Sequence, residues 1–115
     1  ARKELKAKHF DAALAVLKPA NATNNAEWNN LMGFALRSRT PPDLATAEAH
    51  YRRALEIDPK HRSAMEYYGE LLLMKKDLDG ALALQARLEK ACFFGCGELK
   101  DLREAIAKYR AAGGK

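Results

Sequence analysis

The sequence predicts an all-α fold built from antiparallel pairs of helices. Apolar residues recur at steps of three and four along most of the chain, which is the period of an amphipathic helix and not the alternation of a strand. The composition is 48% hydrophobic and 30% charged, and it is rich in the strong helix formers Ala, Leu, Glu, Lys and Arg. Two segments of similar pattern also follow each other in the middle of the chain. At 115 residues the chain has the length of a single domain.

The repeat is clearest in the spacing of small residues. Gly33 and Gly69 each fall in the middle of a predicted first helix, and Ala47 and Ala81 fall near the start of a second. The glycines are 36 residues apart and the alanines 34, and a longer turn at 38–43 accounts for the difference. Because helices approach closely only where side chains are small, we expect close packing at these positions. The larger residues expected to fill the core around them are Trp28, Leu31, Leu36, Tyr51, Leu55, Met65, Tyr68, Leu72, Leu84 and Leu88.

The apolar pattern, with its capping residues and prolines, sets the expected helix boundaries. Pro19 is expected to end the second helix, and Asp58-Pro59 the fourth. The last helix has one apolar and one charged face, which is typical of a terminal capping helix. The predicted helices run over about 2–8, 10–18, 26–38, 44–57, 62–75, 78–92 and 98–111.

One stretch carries a recognisable signature, Trp28-x-x-Leu31-x-Gly33-x-Ala35…Ala47-x-x-x-Tyr51-x-x-Ala54-x-x-x-x-Pro59. This pattern resembles the tetratricopeptide repeat (TPR) family. A second copy keeps Gly69 and Ala81, but it has Gln85, Leu88 and Phe93 where the family has an aromatic residue, an alanine and a proline. A partial match, Phe10-Asp11-Ala12-Ala13-Leu14, precedes both copies.

The resemblance implies an architecture and a kind of function. The expected fold is a right-handed superhelix of antiparallel helix pairs, a TPR-like α-solenoid, with a capping helix at its C-terminal end. We expect one domain over 1–115, with a partial repeat at 1–25, repeats at 26–59 and 60–93, and the capping helix at 97–112. TPR proteins hold other proteins, so the implied function is that of an adaptor for a peptide or protein segment.

The resemblance also implies a binding surface, because the first helices of successive TPR units line a concave groove. The residues that match the groove positions are Asn30, Phe34, Arg37, Ser38, Ser63, Glu66, Tyr67, Glu70, Leu73 and Met74. Ser63 and Tyr67 stand where one TPR subset has a lysine and an arginine that grip a C-terminal carboxylate. The aromatic, methionine and acidic side chains instead suit a segment with apolar anchors and a basic side chain. The alternative is that Phe34 and Tyr67 belong to the core.

A search for catalytic residues finds no constellation in the sequence. The three histidines, His9, His50 and His61, lie on three different predicted elements, and none has metal-ligand spacing with another His or with Cys. The chain has no HExxH motif and no glycine-rich phosphate loop after a strand. We therefore expect no enzyme, no cofactor and no metal.

Cys92 and Cys96 bracket Phe93-Phe94-Gly95 before the last helix. They are two reduced cysteines, a local disulfide that staples the turn, or a metal or redox site. A disulfide would indicate an oxidising compartment. The segment resembles the Cys-containing turn of some small exported bacterial TPR proteins, and the chain begins with Ala1 instead of Met. These features favour a periplasmic or exported location.

Charge and hydropathy restrict the partners. The net charge is +5, but the basic residues are dispersed in pairs, so we expect no nucleic acid partner. No window approaches the about 20 apolar residues of a membrane span, so we expect no membrane insertion. Besides the adaptor, self-association into a homo-oligomer is open, because the truncated first repeat would leave Leu14, Ala15 and Leu17 poorly covered.

Overall fold

The computed structural model describes the backbone of residues 7–114 and the side chains of residues 12–114. This part of the chain is entirely helical, with six helices and no strands, which confirms the predicted all-α class. The chain divides into two compact units, of which the first ends at Pro59 and the second begins at Lys60. The helices are α1 (Ala7–Ala20), α2 (Ala26–Ser38), α3 (Leu44–Ile57), α4 (Arg62–Met74), α5 (Leu78–Ala91) and α6 (Gly97–Ala111).

Side-chain caps fix where the middle helices begin. Asn25, Asp43, His61 and Asp77 precede α2, α3, α4 and α5 respectively. Each accepts a hydrogen bond from the backbone N–H three residues further on, at 2.8 to 3.2 Å. Such a cap satisfies a donor that the helix itself leaves unpaired. These four starts therefore agree with the predicted ones, and α4, α5 and α6 differ from prediction by one residue at one end.

The N-terminal prediction of two short helices is wrong where the structure describes it. Residues 7–20 form the single helix α1, while residues 2–6 of the first predicted helix lie outside the described part. Pro19 lies inside the last turn of α1, where its missing N–H removes only one bond near the helix end. Asn21 then adopts a left-handed conformation with φ 46°. Its N–H donates to the carbonyls of Leu17 and Lys18, and the helix ends at Ala20, one residue after the proline.

In the first unit α2 and α3 form an antiparallel hairpin. The N–H of Asp43 donates to the carbonyl of Leu36 at 2.9 Å, next to the turn. A Cβ atom at Gly33 would lie 2.8 Å from the ring of Tyr51, which is fully buried. The expectation of close packing at Gly33 is therefore confirmed. The buried apolar residues of this unit are Leu14, Trp28, Met32, Ala35, Leu36, Ala47, Tyr51, Ala54 and Leu55.

The prediction that Leu31 belongs to this core is wrong. Leu31 is 45% exposed, whereas the neighbouring Met32 is 4% exposed. Met32 is four residues from both Trp28 and Leu36, so the helical period places these three side chains on one stripe. Leu31 comes one residue before Met32, so its side chain points away from that stripe.

In the second unit α6 packs against both helices of the α4–α5 hairpin. Glu89 of α5 forms an ion pair with Arg103 of α6 at 2.9 Å. A Cβ atom at Gly69 would lie 2.7 Å from Leu102, so the hollow at Gly69 receives α6 and not the partner helix of its own pair. The buried apolar residues of this unit are Ala64, Met65, Leu71, Leu72, Leu73, Ala81, Leu84, Leu88, Cys92, Leu99, Leu102 and Ile106. In the part of the chain that is described, no helix is long and apolar enough to cross a bilayer.

Candidate functional site

Four of the predicted groove residues lie on α2. Asn30, Phe34 and Arg37 are spaced by four and three residues, so they share one face of the helix. The guanidinium carbon of Arg37 lies 5.1 Å from the centre of the Phe34 ring, within cation–π distance. Phe34, Arg37 and Ser38 are half-buried, whereas Asn30 is 2% exposed.

Leu31 adds an apolar side chain beside this face that the sequence analysis did not include. It is three residues before Phe34, which is a neighbouring position on a helix surface, and almost half of it is exposed. The TPR signature assigns Leu31 to the core, so its exposure was not predicted. The four-residue spacing of Trp28, Met32 and Leu36 would have predicted that these three residues face the core and that Leu31 faces outward.

Asn30 has an incompletely satisfied amide. Its Nδ2 lies 3.4 Å from Oε1 of Glu27, a weak hydrogen bond. Its Oδ1 is buried and has no hydrogen-bond partner among the described residues. A buried acceptor in this state costs free energy, so an N–H donor brought by a partner would be favourable there.

The other six predicted residues lie on α4, in the second unit. Glu66 and Leu73 are buried, Ser63, Tyr67 and Glu70 are half-buried, and Met74 is 48% exposed. A partner therefore reaches Met74 directly, but it reaches Glu66 and Leu73 only if neighbouring groups move.

Glu66 is the most perturbed acid of the second unit. The pKa of Glu66 is raised to about 9, mainly by burial and also by the hydrogen bond and negative charge of Glu70. Asp101 and Glu98 of α6 act in the same direction through their charges. Glu66 is consequently protonated at neutral pH and does not offer a negative charge to a basic side chain.

A buried polar cluster in the first unit joins α2 to α3. Asn29 is 2% exposed, and its Nδ2 donates to the carbonyls of Thr23 at 3.1 Å and Asn25 at 2.9 Å. Its Oδ1 lies 2.9 Å from Nδ1 of His50. Because an amide oxygen only accepts, His50 must carry its proton on Nδ1. The ring of Trp28 packs edge-on against His50, and burial lowers the pKa of His50.

The cysteines lie at disulfide distance, with their Cα atoms 5.9 Å apart. Cys92 follows α5 and is buried, and Cys96 precedes α6. Gly95 has φ 92°, a conformation that favours glycine, and its N–H donates to the carbonyl of Cys92 at 2.8 Å. Of the three interpretations of the pair, the structure adopts the local disulfide. No cluster of three or more metal-ligating side chains is found in the described ranges.

A comparison with known proteins finds one informative similarity. A protein of Pseudomonas putida, named as the probable biofilm formation methyltransferase WspC, is 41% identical to this chain over 58 residues. The match covers 50% of this chain but only 14% of the relative. No protein-family model matches the chain, and no solved structure matches it.

This similarity corrects one prediction from the sequence. The chain was expected not to be an enzyme, and that is contradicted by a relative whose name is that of a methyltransferase. The expectation rested on a search for catalytic motifs within 115 residues. The absence of a motif from such a stretch does not exclude a place in an enzyme, because catalytic groups converge from distant parts of a sequence.

Proposed function

We propose that this chain is a TPR-type helical-repeat domain that binds a peptide or protein segment, within a methyltransferase-type protein. The observation that carries the binding role is the face of α2. It presents the exposed Leu31, the half-buried ring of Phe34 and the guanidinium of Arg37 side by side. An apolar anchor next to an aromatic ring and a cation is typical of the residues that dominate protein interfaces.

The TPR assignment extends the resemblance in the sequence. It is supported by two helical hairpins with buried small residues, Ala47 and Ala54 in one and Ala64 and Ala81 in the other. It is also supported by α6, whose Leu102 packs at Gly69, because stacked repeats pack a following helix on the hairpin before it. The right-handed superhelix is part of this proposal.

The link to an enzyme rests on the Pseudomonas relative. The relative is about seven times longer than the segment it shares with this chain, since that segment is 14% of its length. A short binding domain attached to an enzyme raises the concentration of the bound partner near the active site to about the millimolar range. We infer that this chain would direct a methyltransferase to a protein that it recognises.

Quantitative capture from a Pseudomonas putida lysate tests the binding face. The immobilised chain is compared with its Phe34→Ala and Tyr67→Ala variants, and bound proteins are measured by mass spectrometry. Loss of a central aromatic anchor lowers the recovery of a specific partner by about tenfold or more. Val16→Ser is the matched control, because Val16 is 75% exposed on α1 and away from the proposed face. Equal recovery by wild type and Phe34→Ala would remove α2 from the proposal.

Self-association is the competing function, and its structural support has weakened. Leu14, which was expected to be poorly covered, is 5% exposed, although Ala15 is exposed and Leu17 half-buried. Size-exclusion chromatography with light scattering separates the two functions. A mass that rises with concentration would favour self-association over the binding of another protein.

A further inference from the structure

The loop between α5 and α6 carries two aromatic rings that bury almost nothing. Phe93 is 83% exposed and Phe94 is 98% exposed, more than the other large apolar side chains in the described part of the chain. The two rings pack against each other edge to face, with their centres 5.2 Å apart. Neighbouring aromatic rings left in water mark a contact surface for something outside the chain.

The loop is held in place from both sides. Cys92 and Cys96 close it into a small ring, and the N–H of Gly95 donates to the carbonyl of Cys92. Cys92 itself is anchored, because its N–H donates to Leu88 at 2.9 Å and its side chain is buried. A loop that is already ordered loses little conformational freedom when it binds.

Three basic residues lie on the helix turns next to this loop, and one acid, Glu98, lies in the first turn of α6. Arg62 of α4 donates to the carbonyl of Ala91 at 3.4 Å, which places its guanidinium beside the last turn of α5. Lys90 and Lys100 are exposed on the adjoining turns of α5 and α6, with no ion-pair partner in the described structure. The acid nearest in sequence to Lys90, Glu89, is neutralised by Arg103.

We propose that the loop of residues 92–96 docks this protein on an anionic lipid surface. Phe93 and Phe94 would enter the boundary between headgroups and acyl chains, while Arg62, Lys90 and Lys100 would face the anionic headgroups. Aromatic rings flanked by cations are the arrangement that interfacial segments use on membranes. This contact would be peripheral, at the surface of the membrane.

The shape of the patch favours lipid over a protein pocket. A protein interface needs a broad surface in which near-neutral contacts surround the central anchors. Here the two aromatic side chains lie in a five-residue loop that the cysteines close. The other strongly exposed apolar residue of this unit is Met74, which lies at the opposite end of α4 from Arg62. A bilayer accepts isolated rings without shape complementarity.

Vesicle co-sedimentation tests the proposal and does not depend on the protein-binding face of α2. The probes are vesicles of phosphatidylcholine alone and vesicles with about a third phosphatidylserine, at an ionic strength of about 0.1 M. Each cation near an anionic surface contributes about fivefold in binding, so we expect at least a tenfold preference for the anionic vesicles. The preference disappears at about 1 M salt, where charges are screened.

Two variants separate the rings from general electrostatic attraction. Phe93→Ser combined with Phe94→Ser should lower binding to the anionic vesicles by about tenfold or more, because the buried apolar area is lost. Its thermal midpoint should equal that of wild type, since both rings are exposed. Val16→Ser, at an exposed apolar residue of α1, is the control and should bind like wild type. Lys90→Gln with Lys100→Gln should reduce the anionic preference by an order of magnitude.

Two results would overturn the proposal. If the double serine variant binds as tightly as wild type, the loop is not the docking element. If wild type does not bind the anionic vesicles at all, lipid is excluded, and an apolar pocket on a protein becomes the class of surface that accepts the two rings.

Discussion

At the scale of single residues, Glu66 opposes the stability of the second unit at neutral pH. The unfolded chain loses this proton near pH 4.5, whereas the folded chain keeps it up to about pH 9. The folded state therefore binds more protons over this range, and its stability falls as the pH rises from about 4.5 to about 9. Glu66→Gln keeps a hydrogen-bond donor for Glu70 and has no proton to lose. We expect it to stabilise the protein by about 1 to 2 kcal/mol at pH 7.

Urea unfolding at several pH values measures this effect. The gain from Glu66→Gln should grow with pH and vanish below about pH 4, where the wild-type side chain is largely protonated in both states. Glu104→Gln on the exposed side of α6 is the control and should change stability little at any pH. A gain that does not depend on pH would show that Glu66 acts through packing.

His50 gives the first unit a pH dependence of its own. Burial lowers the pKa of His50 below its ordinary value of 6.5, so the unfolded state takes up a proton before the folded state does. The stability from the neutral ring is present above pH 6.5 and is lost as the pH falls below it. In His50→Asn the amide nitrogen can replace Nδ1 as the donor to Asn29. Urea unfolding should therefore show a smaller loss of stability below pH 6.5 than in wild type, and an equal loss would contradict the assignment.

Neither titrating residue could be recognised from the sequence, because burial of a polar residue depends on partners far along the chain. Glu66 is perturbed by Glu98 and Asp101, about 30 residues later. Glu66 was instead assigned to a groove, because its position matches a groove position of the TPR family. Leu31 shows the reverse error, since a family signature placed an exposed residue in the core.

At the scale of elements, Gly33 determines how closely α2 and α3 approach. A methyl group there would lie 2.8 Å from the ring of Tyr51, which has no free space to move into. Overpacking of this kind costs about 1 to 3 kcal/mol and outweighs the better helix propensity of alanine, which is worth about 1 kcal/mol. Gly33→Ala should therefore lower the free energy of unfolding, as measured by urea titration.

A second glycine supplies the matched control for this prediction. Gly97 begins α6, and a Cβ atom there would meet nothing within 4 Å. Gly97→Ala should be neutral or slightly stabilising. If Gly33→Ala is as harmless as Gly97→Ala, the close approach at Gly33 does not determine the packing of the hairpin.

The boundaries of a helix were predictable where residues close in sequence determine them. Residues 26–38 and 44–57 were predicted from the apolar period, and the caps that Asn25 and Asp43 make at their starts are local. The end of α1 was not predicted, because Pro19 was expected to end the helix, whereas it lies inside the last turn. The contact of Gly69 with Leu102 was also missed, because the hollow at Gly69 was expected to receive the other helix of its own hairpin.

At the scale of the whole molecule, the sequence predicted the class of the fold better than the site. Helical class follows from a pattern spread over 115 residues, so single errors do not change it. The groove residues were assigned by matching single positions of this sequence with those of the TPR family. Three of its ten residues, Asn30, Glu66 and Leu73, are nevertheless buried. The exposure of Phe93 and Phe94 was not predicted, since exposure cannot be read from residue type.

The two titrating residues belong to different compact units, and this leads to a prediction for the molecule as a whole. His50 lies in the unit that ends at Pro59, and Glu66 in the unit that begins at Lys60. Raising the pH from about 7 to about 9 should destabilise the second unit, because the folded chain keeps a proton on Glu66 that the unfolded chain has already released. Lowering the pH below 6.5 should destabilise the first unit, because protonation of the unfolded chain at His50 is favoured.

Amide hydrogen exchange, corrected for the intrinsic effect of pH on exchange, resolves the two responses residue by residue. Amides of α4 and α6 should lose protection in alkali, and amides of α2 and α3 should lose it in acid. The Glu66→Gln variant should abolish the alkaline loss and leave the acid loss of α2 and α3 in place. Loss of protection in alkali by α2 and α3 to the same extent as by α4 and α6 would contradict a local origin at Glu66. The destabilising charge would then act on the folding of the entire chain.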